Sequence, residues 1–308
     1  MTAPRVSVVV VTRNRKREVL RAVESCLAQS ERPEVLVMVD GATDDTPAEI
    51  GAAFPAVQVH AFEETGGQAL RRNQGFSRAQ APIVVSLDDD AALDDEHTLR
   101  LTLADFSHER IAAVAMPIVD VGRPPGPYSH PAPRGSELVV PRLMEGAVAV
   151  RKDCFLAAGG FPARYFGWGE GNELCLRLLA LGYVVKLGSA PPVLHRPSLV
   201  RNLDRMDYYG RRNDLLFGWT TLPASELPLH LGRCAVRTVR LAGGQRRFRH
   251  HLSGTLAGIT DCVRHRRDRR PVSSATARLD RALLARKRVP LEEVLAGLDV
   301  VGGEHCAA

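Results

Sequence analysis

Three consecutive carboxylates, Asp88, Asp89 and Asp90, close the apolar run Ile83-Val84-Val85-Ser86-Leu87. Like charges crowded at the mouth of a buried strand repel one another and resist full ionisation, and a shared divalent cation relieves that strain. The competing use is structural: carboxylates favour helix N-termini, and Asp94, Asp95 and Glu96 follow closely. Two other polar groups sit in the same relation to an apolar run. Thr12-Arg13-Asn14 follows Val6–Val11, and Asp40-Gly41 follows Val35–Val39. In open parallel sheets ligands bind outside the carboxyl ends of the strands, so the three groups are expected to converge on one crevice.

The elements that must hold them there follow from periodicity. Strands are expected at Val6–Val11, Val35–Val39, Val57–His60, Ile83–Leu87 and Ala112–Ala115, with helices near Lys16–Gln29, Asp45–Ala53, Gln68–Ala79 and Asp94–Phe106. Near-continuous valine runs mark strands buried on both faces, hence an α/β layer with a parallel sheet covered by helices. From Val119 to Pro141 the pattern breaks into Gly/Pro-rich sequence, read as a flexible loop on the acceptor side, before β-like character resumes at Gly146–Val150. Beyond His195 the chain turns helical and basic. Residues 1–200 are therefore expected to form the catalytic domain and 201–308 a helical extension.

The chain has 308 residues with 45% hydrophobic content, as in a soluble globular protein. It contains no run near the roughly 20 apolar residues of a membrane span. Its first apolar run is short and is followed by its basic cluster, which reads as a strand and not a signal peptide. Six cysteines lack any paired ligand spacing, which points to reduced structural thiols and a cytoplasmic location. Residues 201–308 carry 20 Lys+Arg against 11 Asp+Glu, a net +9, so the basic character belongs to the tail. Its arginines suit phosphate-bearing acceptors or a peripheral contact with an anionic membrane surface. Few aromatics interleave with them, which argues against nucleic acid.

Taken in order, several motifs resemble those of the inverting family 2 glycosyltransferases, which have the GT-A fold. They are Val8-Val9-Val10-Val11-Thr12-Arg13-Asn14-Arg15, Val39-Asp40-Gly41-Ala42-Thr43-Asp44-Asp45-Thr46, Gly66-Gly67-Gln68 with Arg72-Asn73-Gln74-Gly75, and Leu87-Asp88-Asp89-Asp90. Gly167-Trp168-Gly169-Glu170-Gly171-Asn172-Glu173-Leu174 and Arg212-Asn213 complete the series. The resemblance implies a nucleotide-diphospho-sugar transferase fold, a Rossmann-like mostly parallel sheet flanked by helices. The expected donor is a UDP- or dTDP-sugar. The acceptor is a saccharide, a lipid-linked saccharide or a small molecule.

By the same resemblance Thr12, Arg13 and Asp40 line the nucleoside pocket, Arg72 reaches the nucleotide, and Asp89 bonds ribose or sugar hydroxyls. Asp88 and Asp90 would hold Mn²⁺ (or Mg²⁺) on the donor diphosphate, with His195 completing the shell. A mixed carboxylate and imidazole set suits Mn²⁺ better than Mg²⁺. Trp168 offers a flat face to a sugar, and Arg212 closes over the diphosphate. At the acceptor side the usual general-base aspartate is replaced by Gly171, which cannot accept a proton. Glu170 is the expected substitute, with Glu173 as the other candidate. Two other classes stay open: a catalytically weak nucleotide-sugar-binding protein, because of Gly171, and an NAD-type Rossmann oxidoreductase. The latter lacks a G-x-G-x-x-G after the first strand.

Overall fold

A computed structural model describes residues 3–167, 169–197, 203–241 and 245–305. The chain opens with β1 (Val6–Thr12), α1 (Lys16–Leu27), β2 (Glu34–Asp40), α2 (Thr46–Ala53), β3 (Gln58–Phe62), α3 (Gln68–Arg78) and β4 (Ile83–Asp88). It continues through β5 (Ala91–Leu93), α4 (Thr98–Ala104), β6 (Ile111–Ala115), β7 (Ile118–Asp120), β8 (Leu138–Val139), β9 (Ala147–Arg151) and α5 (Lys152–Ala157). Then come α6 (Glu170–Ala180), β10 (Val184–Leu187), β11 (Val193–His195), α7 (Leu203–Thr221), α8 (Leu227–Leu241), α9 (Gln245–Arg264), α10 (Ser274–Arg286), β12 (Val289–Pro290) and α11 (Leu291–His305).

The nine-stranded sheet runs β12-β8-β10-β6-β9-β4-β1-β2-β3. β1 is buried at every position because its valines feed two cores. Val6, Val8 and Val10 join one apolar layer and Val9 and Val11 the other, as the two-residue period of a strand requires. β1 lies parallel to both β2 and β4, with Val11 opposite Asp88 and Thr12 opposite Val39. Thr12, Asp40 and Asp88 therefore end on one rim. α3 can sit close beneath them because Gly75 has no side chain: a Cβ there would lie 2.4 Å from Val9 Cγ1.

β9 runs antiparallel between β4 and β6, an exception within an otherwise mainly parallel order. The irregular segment before it ends at the same rim as the acidic cluster, so β9 can only run back down the sheet. A second sheet, β5-β11-β7, grows out of the acidic turn itself. The basic segment after residue 200 also contributes to the sheet: β12 pairs with β8 at its edge, and Leu283, Val289, Leu291, Val294 and Leu298 join the first core layer.

Candidate active site

The small sheet explains how residues over a hundred positions apart meet. β5 starts directly after Asp90 and pairs antiparallel with β11, setting His195 opposite Ala91, and β7 on the other side sets Asp120 opposite His195. Asp88, Asp90 and His195 each present a ligand atom, all within 4.8 Å of one another. His195 Nε2 lies 3.1 Å from Asp90 Oδ1, and Nδ1 lies 2.7 Å from Asp120 Oδ1. A carboxylate on the far nitrogen of a ligating histidine fixes its tautomer and orientation, the usual outer-shell arrangement of a metal site. Two carboxylates and an imidazole so converged fit a divalent cation of the Mn²⁺ kind. Burial works against charge on the ring, but the bonds to Asp90 and Asp120 outweigh it and raise His195 to about 9.

The remaining carboxylates at the rim are occupied in other ways. Asp89 is buried and accepts from Thr12 Oγ1 at 2.8 Å and Arg15 Nη1 at 2.7 Å, while Arg15 Nη2 reaches Asp90 at 2.8 Å. Asp40 is buried too, with its oxygens taken by the backbone N–H groups of Gly66 (2.7 Å) and Gly67 (3.0 Å) and by Arg71 Nε (2.7 Å). The adjacent arginines thus separate. Arg71 stacks on Phe62 and serves Asp40, whereas Arg72 donates to Asp88 at 2.6 Å. Arg13 is exposed. Arg15 and Asp120 were not singled out by sequence reasoning. In the sequence Arg15 only ends the first motif, with no role assigned to it, and Asp120 reaches His195 only because two short strands pair.

α6 begins after Gly169, whose backbone is left-handed at φ 92°. Glu170 is 2% exposed and accepts from the backbone N–H of Gly167 at 3.0 Å. Glu173 is buried as well and is held by Arg164 at 2.5 Å and by the Tyr165 hydroxyl at 2.8 Å. Gly171 donates its N–H to Glu145 Oε1 at 2.6 Å. Glu145 escaped sequence reasoning because it precedes β9 in a segment without periodicity. Trp168 lies outside the described residues. Arg212 joins α7 to α9, donating through Nε to Asp261 at 2.5 Å and through Nη1 to the Arg164 carbonyl at 3.1 Å. Nη1 also donates to Asn213 Oδ1 at 2.8 Å.

Residues 7–159 match the family described as Glycosyl transferase family 2. Succinoglycan biosynthesis protein ExoO of Rhizobium meliloti (strain 1021) is 31% identical over 155 residues, which is 49% of this chain and 44% of that protein. ExoU of the same organism is 35% identical over 88 residues, covering 28% of this chain and 26% of the relative. The chain thus spans less than half the length of these curated relatives. Among solved structures, S. aureus TarS 1–349 in complex with UDP-GlcNAc superposes with a TM-score of 0.63 at 15% identity, covering 98% of this chain and 92% of that one. Mannosyltransferase PcManGT from Pyrobaculum calidifontis, in complex with GDP-Man and Mn²⁺, gives 0.53 at 18% identity over 92% and 79% of the two chains. At such identities the likeness is one of fold, the GT-A type.

Proposed function

The chain belongs to glycosyl transferase family 2, and from that premise we propose that it moves a sugar from a UDP- or dTDP-type donor to an acceptor hydroxyl by one inverting displacement. The observation that carries this reading is the Asp88, Asp90 and His195 centre at the rim where β1, β2 and β4 end. A cation held there, Mn²⁺ or Mg²⁺, would supply Lewis-acid neutralisation of the departing diphosphate. Arg72, beside Asp88, adds a forked donor for phosphate oxygens. Thr12 and Asp40 stand at the strand ends facing the nucleoside. Their partners hold that rim rigid, and positioning is a large part of catalysis in such transfers. PcManGT, which carries GDP-Man and Mn²⁺, and TarS, which carries UDP-GlcNAc, support a nucleotide-sugar in this crevice. The relatives' part in succinoglycan biosynthesis supports a saccharide as acceptor.

A peripheral contact with an anionic leaflet belongs to the same reading. Phe248, Leu252, Leu256, Ile259 and Val263 form one exposed apolar stripe on α9, and Leu229, Val236 and Val239 are exposed on α8. Residues 227–264 hold seven arginines against one acidic residue, Asp261. Apolar stripes with a basic border are what in-plane interfacial helices use. No helix among the described residues is long and apolar enough to cross a membrane.

The experiment is release of nucleoside diphosphate from a panel of UDP- and dTDP-sugars in the presence of Mn²⁺. Release from one donor well above the others, abolished by EDTA, is expected. Absence of both release and donor binding across the panel would overturn the reading.

A further inference from the structure

We propose that Glu145, carried into the cleft just ahead of β9, is the base that takes the acceptor proton, and that Gly171 is glycine to make room for it. The inference rests on the transferase reading above and deepens it by naming the proton acceptor.

Elimination among the rim carboxylates comes first. Asp88 and Asp90 belong to the cation centre. Asp89 is held by Thr12 and Arg15, Asp40 by Arg71 and two backbone N–H groups, and Glu173 by Arg164 and Tyr165. Glu170 is closed off from solvent. Glu145 is half-buried as a residue, unlike the buried Asp40, Asp89, Glu170 and Glu173. The bond it accepts is the neutral backbone N–H of Gly171.

Placement supplies the second argument. Gly146, next in the chain, packs directly on the Asp88 carboxylate, where a Cβ would lie 2.0 Å from Oδ2. Glu145 is thereby one residue from the cation centre. A Cβ at position 171 would meet Glu145 Oε1 and Leu143 Cδ1, each at 2.8 Å. The carboxylate thus fills the volume that a side chain at the start of α6 would otherwise take. Burial and the negative charge of Glu170 push Glu145 upward, against the pull of Arg72, which makes it a stronger proton acceptor than an ordinary carboxylate.

In the step, the acceptor O–H bond breaks and its proton passes to the Glu145 carboxylate. The freed electron pair forms the bond to the anomeric carbon as the bond from that carbon to the diphosphate oxygen breaks. That second pair leaves with the nucleoside diphosphate, and Glu145 later returns its proton to water.

The test compares Glu145→Gln, Glu170→Gln and the exchange Glu145→Gly with Gly171→Asp. Diphosphate release and calorimetric donor binding with Mn²⁺ are read side by side. Glu145→Gln keeps an acceptor oxygen for the Gly171 N–H, so a merely structural role would leave it active. As a base, its loss should lower turnover about 10²–10⁴-fold with donor affinity unchanged. The exchange, which returns a carboxylate from α6, should recover at least tenfold over Glu145→Gly alone. Glu145→Gln turning over within threefold of wild type would overturn the assignment, as would an inactive Glu170→Gln beside an active Glu145→Gln. Failure of the wild-type protein to bind any donor would instead overturn the transferase reading on which the assignment rests.

Discussion

His195 sits between Asp90 and Asp120, so at neutral pH its ring carries a proton that an incoming cation must displace. The sign follows. Below about 9 the proton competes with the metal, and Mn²⁺ affinity should fall as pH falls, by up to about tenfold per unit. Calorimetric Mn²⁺ titrations at several pH values should show this slope, and His195→Gln should flatten it; an equal slope in the variant would remove His195 from the shell. At this scale the sequence was informative where chemistry is local. Asp88, Asp90 and Arg72 stand in recognisable runs, and the structure brings them together. Asp120, Arg15 and Glu145 depend on how loops return to the rim, and no local pattern encodes that. Glu173 was the other candidate base, yet Arg164 and Tyr165, which lie upstream of the helix, enclose it.

At the scale of elements, the valine strands and the first helices were legible because burial on both faces writes itself as continuous apolar sequence. The short strands β5, β7, β8, β11 and β12 were not, since two or three residues carry no period. The antiparallel run of β9 was hidden too, because an apolar strand reads the same in either direction. The close seat of α3 on β1 gives a direct check. Gly75→Ala would force its methyl against Val9 Cγ1 and Met38, and overpacking of this kind costs about 1–3 kcal/mol. A urea midpoint shifted down by that amount is expected, with Asp88 and Arg72 following as α3 is pushed outward. An unchanged midpoint would mean that α3 and β1 have slack between them.

For the whole molecule, the division at residue 200 suggested by charge hides a return of the chain. α10, β12 and α11 come back to the sheet, so the basic tail is part of the core at its end and an outlying layer only in α8 and α9. Those two helices expose their apolar stripes, and vesicles containing phosphatidylglycerol should sediment the protein where neutral phosphatidylcholine does not. Leu256→Asp combined with Ile259→Asp should weaken this at least tenfold while leaving circular dichroism unchanged. Concentration-dependent dimerisation through the stripe, with no vesicle binding, would assign the face to a second copy instead.

The transfer reaction depends on one centre. Calorimetric titration of a UDP- or dTDP-sugar selected by the release assay, with Mn²⁺ present, tests it most directly in wild type and in Asp90→Ala. Binding should require the cation, vanish in EDTA and weaken at least tenfold in Asp90→Ala, with folding intact by circular dichroism. Equal donor affinity in chelator and in Asp90→Ala would contradict a metal-held diphosphate at Asp88, Asp90 and His195.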